Sequence, residues 1–132
     1  MKITADTNLL LRLFVHDDDR QRKLAKEALV DADLVAVSVH ALCELSWVMG
    51  RSHSFTNGEV ATAIRVLMNT GNVVLNRPAV EAGLRMLDVG GDFADGVIAF
   101  DGQWLGGETF VSFDRKAVKL LQKQGGDPVL LG

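Results

Sequence analysis

Lys2-Ile3-Thr4-Ala5-Asp6-Thr7-Asn8 is the stretch from which the fold can be read. A short β-like run, Lys2–Ala5, ends directly in an acid. The arrangement recurs late in the chain, where Val111-Ser112-Phe113 runs into Asp114. Working outward, the β-like runs are Lys2–Ala5, Leu34–Val39, Asn72–Leu75, Thr109–Phe113 and Pro128–Leu131. The stretches between them carry helical periodicity and predict helices at Arg20–Val30, His40–Ser52, Thr56–Asn69, Pro78–Leu87, Ala94–Leu105 and Arg115–Lys123. Asp17, Asp18 and Asp19 supply acids near a positive helix N-terminus. Pro78 suits a first helical turn, and Gly125-Gly126 suits a helix stop. Strands alternating with helices predict an α/β fold of three layers, a parallel sheet flanked by helices on both faces.

The chain has 132 residues, the size of one domain, so residues 1–132 are expected to form a single domain. Its 48% hydrophobic and 23% charged residues are ordinary for a globular protein, and no repeat, low-complexity tract or proline-rich linker divides it. The apolar run Ile3–Val15 is broken by Asp6, Asn8 and Arg12, which argues against an export signal or a membrane span. The single cysteine, Cys43, rules out an intrachain disulfide and fits a reducing, cytoplasmic setting. A net charge of −3 argues at first sight against nucleic acid as a partner. Setting four of the 17 acids aside as metal ligands leaves 13 against 14 basic side chains, so charge decides nothing.

In parallel sheets, ligands bind beyond the carboxyl ends of the strands. Four acids fall where that rule asks for them. Asp6 follows the first strand and Asp114 the fourth. Asp95 stands at a helix start in Asp92-Phe93-Ala94-Asp95-Gly96-Val97-Ile98-Ala99, and Glu44 lies in the helix after the second strand. Ala41, Leu42, Leu45, Val48 and Met49 form an apolar stripe with Glu44 at its rim. Taken singly, each acid has a bland reading. Glu44 could reach solvent or pair with a base, Asp95 could cap a helix, and Asp6 and Asp114 could be turn residues. Taken together, four like charges at one sheet edge would repel one another unless a cation neutralised them. Oxygen ligands of this kind favour Mg²⁺ or Mn²⁺, and neither cysteine clusters nor paired histidines are present for zinc. The chemistry that follows is metal-assisted attack of water on a phosphodiester.

In order and spacing, Asp6-Thr7-Asn8, the helical Glu44, the run Asp92–Ala99 and Ser112-Phe113-Asp114 resemble the motifs of the PIN-domain family. The resemblance covers essentially the whole chain, and its size and N-terminal first acid look like VapC-type toxins. It implies a five-stranded sheet of order 3-2-1-4-5 and an endoribonuclease using Mg²⁺ or Mn²⁺. By motif, Asp6 and Asp95 would be the principal metal ligands, with Glu44 and Asp114 completing the catalytic acids. Asn8 and Ser112 would orient ligands or water. Asp92, three residues before Asp95, is a supporting acid that could itself face the metal; the motif position favours Asp95. The resemblance further implies a homodimer, an RNA substrate and a cognate antitoxin that occupies the active-site groove.

Two other functions compete. An aspartyl-phosphate phosphotransfer domain also places Asp at strand ends with Mg²⁺, but here Asn8 stands where Asp-x-Asp would need a second acid, and no strand-end lysine follows the late strand. A catalytically silent binding module of the same fold is disfavoured by the presence of all four acids. His16 with Asp17–Asp19 reads as a solvated helix cap. Phe100 and Trp104 read as core or dimer contacts, and Asp101 as a solvent-facing or dimer-rim side chain. His40 and His53 lack a nucleophilic partner, and Cys43 reads as a small hydrophobe. Arg115, Lys116, Lys119 and Lys123 form a basic face on the last helix that suits its dipole or RNA phosphates.

Overall fold

The structure is a computed structural model and describes residues 1–132. The chain forms two compact units, Met1–Arg77 and Pro78–Gly132. The first holds β1 (Lys2–Thr4), α1 (Thr7–Phe14), α2 (Asp19–Asp31), β2 (Leu34–Ala36), α3 (Val39–Ser52), α4 (Asn57–Met68) and β3 (Val73–Val74). Its sheet has the order β1-β2-β3, and both pairings are parallel, with Ile3 opposite Val35 and Val35 opposite Val73. Parallel neighbours need long crossovers, and each one here contains two helices. α1 packs on α2 and α3, and α3 packs on α4. Leu10, Val35, Leu42, Leu45, Met49 and Ile64 have no measurable exposure. Burying each contributes about 1.5–3 kcal/mol relative to leaving it in water.

Side chains close the helix ends of this unit. Thr56 and Glu59 form a capping box at the start of α4, each accepting a hydrogen bond from the other's backbone N–H. Asn72 donates to the carbonyls of Leu29 and Ala32 at 2.8 and 3.0 Å, which satisfies the end of α2 and ties it to the approach to β3.

The second unit holds most of α5 (Arg77–Asp88), then α6 (Phe93–Trp104), β4 (Val111–Ser112), α7 (Arg115–Lys123) and β5 (Val129–Leu130). β4 and β5 pair in parallel, and α7 packs on both. α5 and α6 meet at glycines. A Cβ on Gly96 would stand 2.6 Å from the Ala82 carbonyl oxygen, and one on Gly83 2.4 Å from the Phe93 ring. Phe93 is the largest fully buried side chain.

All three helices of this unit end alike. Gly90, Gly106 and Gly125 have φ of +91°, +98° and +90°. The N–H groups of each glycine and its successor return to carbonyls three and five residues back, as in Gly125 to Gln122 and Gly126 to Leu121. These are Schellman stops, and the left-handed residue is glycine because a Cβ there is strained.

The α/β architecture and the parallel pairing agree with the sequence, and α7 has the predicted bounds. The ladders fall into a three-stranded and a two-stranded sheet. Each strand is shorter than its β-like run. The second stops at Ala36 because Ser38 turns into a cap, its Oγ accepting from the Ala41 N–H at 3.1 Å, so Val39 is helical. α1 lies outside the predicted helices. At eight residues it spans about two turns, too short for its periodicity to stand out in a run this apolar.

Candidate active site

In the first unit, Asp6 is the N-cap of α1. Its Oδ1 accepts the Leu9 N–H at 2.8 Å, and its side chain is otherwise exposed. An acid separated from a strand by one residue, Ala5, and directly before a helix thus has a structural task and still offers a free carboxylate edge. Asp6 and Asn8 line an open groove of about 300 Å³ with Leu9, Arg12, Gln21 and Leu24. Arg12, which in the sequence looks only like a break in an apolar run, is pinned by an ion pair to Asp17. That hydrogen bond is the main reason why the Asp17 carboxyl titrates below the usual range. Asp17 lies five residues on and beyond the end of α1, so no helical spacing signals this pair in the sequence. Asp18, not its neighbours, caps α2, accepting from the Gln21 N–H at 2.9 Å.

Glu44 is exposed at the rim of the buried stripe formed by Ala41, Leu42, Leu45 and Met49, and forms no ion pair. Of the two bland readings of this acid, pairing with a base is absent and reaching solvent is what the structure shows.

In the second unit the charges of Asp92 and Asp114 both act on Asp95. Asp92 is the N-cap of α6, accepting the Asp95 N–H at 3.2 Å. Asp114 is the N-cap of α7, accepting the Ala117 N–H at 3.1 Å, while its own N–H donates to Ser112 Oγ at 2.9 Å. Ser112 thereby holds the turn in which Asp114 sits. Asp95 caps nothing, because Asp92 has taken that role. It is half-buried, and its carboxyl titrates above the usual range, first through burial and then through the charges of Asp92 and Asp114. A helix start that stabilises anions would lower this value. Desolvation and like charge outweigh that effect here.

The donors Asp92, Asp95 and Asp114 offer oxygen alone, which suits Mg²⁺ or Mn²⁺ rather than a soft metal. Within neither unit do three or more His, Cys, Asp or Glu side chains close into a cage for an ion.

The family model for the PIN domain matches residues 3–121. The chain belongs to the PIN domain family. The match spans both units and every acid described above. Among solved structures, the crystal structure of Mycobacterium tuberculosis VapC20, described as a sarcin-ricin loop cleaving toxin, is similar at 18% identity and a TM-score of 0.45, over 82% of this chain and 86% of that one. No curated protein matches the chain.

Away from the acids of this PIN domain, Trp104 is 78% exposed and belongs to no core, which corrects the core reading of that residue. It meets Phe100 with ring centroids 6.4 Å apart. Asp101 is exposed, as expected. No helix is long and apolar enough to cross a membrane.

Proposed function

We propose that this PIN domain is a metal-dependent endoribonuclease and the toxin of a type II toxin–antitoxin pair. The observation that carries the reading is Asp95. It is half-buried, relieved of capping by Asp92, and raised in pKa by burial and by its neighbours Asp92 and Asp114. A carboxylate kept in such a place without a structural task is a functional-site candidate. Together with family membership and the ordered motifs, it supports a hydrolytic site on RNA.

In this reading residues 1–132 act as one domain whose strands take the order 3-2-1-4-5. Asp6 and Asp95 hold Mg²⁺ or Mn²⁺, and Glu44 and Asp114 complete the catalytic acids. Bound there, the ion would make a water more acidic and offset charge developing on the phosphorane. Asn8 and Ser112 orient ligands and water, Ser112 through the turn that carries Asp114. Asp92 fixes the start of α6 and raises the affinity of its neighbour for a proton or a cation. The protein works in the cytoplasm as a homodimer, and an antitoxin arginine pairing with the carboxylates inhibits it.

The test is cleavage of labelled cellular RNA by the purified full chain in Mn²⁺ and in EDTA, with growth of cells after induction measured in parallel. Cleavage in Mn²⁺ that EDTA abolishes, with growth arrest rescued by a co-expressed partner, is the expected result. An inert protein that leaves growth unharmed would favour the silent binding module.

A further inference from the structure

α3 carries more than Glu44 on its exposed side. At about 100° per residue, His40, Glu44, Trp47 and Arg51 fall within a sector of about 60°, and all four are exposed. The buried residues of the helix, Ala41, Leu42, Leu45 and Met49, lie on the other side. The stripe runs for about 16 Å along the axis.

Trp47 is the unusual member. Tryptophan is rarely left in water, yet this side chain is 57% exposed. Arg51, one turn on, places its guanidinium carbon 5.8 Å from the ring centroid. A cation on one side of an indole enriches a platform whose remaining surface is open, and it brings a positive charge to where a phosphate would follow a stacked base. Exposed aromatic rings interleaved with arginine are what unpaired bases and their backbone require. A stripe of this kind one turn from Glu44 would lead a strand toward a carboxylate of the proposed site.

We infer that this side of α3 seats single-stranded RNA, with Trp47 stacking on an unpaired base and Arg51 holding an adjacent phosphate. The inference rests on the ribonuclease reading and adds two residues that set substrate affinity and position without touching the reacting atoms. A protein partner covering the same stripe is the competing occupant.

The experiment uses the full chain carrying Trp104→Phe, so that Trp47 is the only tryptophan. Binding of a short unstructured RNA is followed in EDTA, where cleavage is blocked, through Trp47 fluorescence and anisotropy of the labelled RNA. RNA should quench Trp47, and Trp47→Ala should weaken binding about 5- to 160-fold, the range of a base-stacking contact. Trp47→Phe, which keeps a ring, should retain most of the affinity. Arg51→Gln should weaken binding and lower the salt slope by about 0.7, the value for one phosphate on a single strand. In Mn²⁺, Trp47→Ala should raise KM and leave kcat nearly unchanged. Wild-type cleavage with unquenched Trp47 and an unaltered Trp47→Ala affinity overturns the inference and leaves the ribonuclease reading standing. A Trp47→Ala change confined to oligomeric state overturns it in favour of a protein contact. A wild-type chain that neither binds nor cuts RNA overturns both.

Discussion

The two units carry their acids in different ways. In the first, Asp6 caps α1 while exposed, and Glu44 stands free on the outer side of α3. In the second, Asp92 and Asp114 cap successive helices and leave Asp95 between two charges, half-buried and without a backbone partner for its carboxylate. The helices follow the same division. Those of the second unit all end in glycine pairs, at Gly90-Gly91, Gly106-Gly107 and Gly125-Gly126, while in the first the caps are Val15, Ala32, His53 and Asn69. An acid that caps is doubly employed, and its presence says little about chemistry. An acid whose cap is supplied by a neighbour is held against electrostatic cost, and that cost is the stronger sign of function.

The sharpest way to break this comparison is to neutralise one acid in each unit. Asp6→Asn and Asp95→Asn should each lower RNA cleavage by more than about 100-fold, since supporting residues alone account for about 10- to 100-fold around metal sites. Their stabilities should diverge. Asparagine caps as well as aspartate, so Asp6→Asn should melt like the wild type, whereas Asp6→Ala should lose about 1 kcal/mol. Asp95→Asn should be more stable than the wild type at pH 7. Because the folded state raises the Asp95 pKa, the ionised carboxylate costs stability, and that cost grows as pH rises through the ordinary value near 3.8 to the raised one. The gain from Asp95→Asn should therefore vanish in acid. Thermal melts from pH 3 to pH 7 measure this, and a gain independent of pH would remove the electrostatic account of Asp95.

A second contrast lies within α6. Gly96→Ala pushes a methyl group into the Ala82 carbonyl and should cost about 1–3 kcal/mol in chemical denaturation. Gly102→Ala, with nothing within 4 Å of the added Cβ, should be neutral or stabilise by up to about 1 kcal/mol. Equal effects would mean that the close approach to α5 is not what Gly96 serves.

The smallest effect is expected at Asp17. Its depressed pKa means that pairing with Arg12 stabilises the fold above the usual carboxylate range, and that this is lost as pH falls through the lowered value. Asp17 is exposed, so Asp17→Asn should leave cleavage unchanged and shift the melting point only slightly, with the difference disappearing in acid. A large loss of activity would instead assign the Arg12 groove a direct part in the reaction.

Much of this protein was legible along the chain because its signals are local. A helix cap or stop uses atoms within five residues, so the acids after strands, the bounds of α7 and the Gly125-Gly126 stop could be read directly. The same Gly-Gly-acid pattern at residues 90–92 and 106–108 was legible too, and it marks the ends of α5 and α6. The sequence left the duties of Asp92 and Asp95 open, since either could begin a helix. The structure shows that Asp92 is the cap, and only the tertiary structure decided that Asp95 is half-buried near the charge of Asp114, nineteen positions later, because desolvation and Coulomb repulsion depend on distance in space and not along the chain. The glycine of the Asp95-Gly96 pair is explained in the same way. Its lack of a side chain serves the approach of α5, a neighbour that no local pattern names.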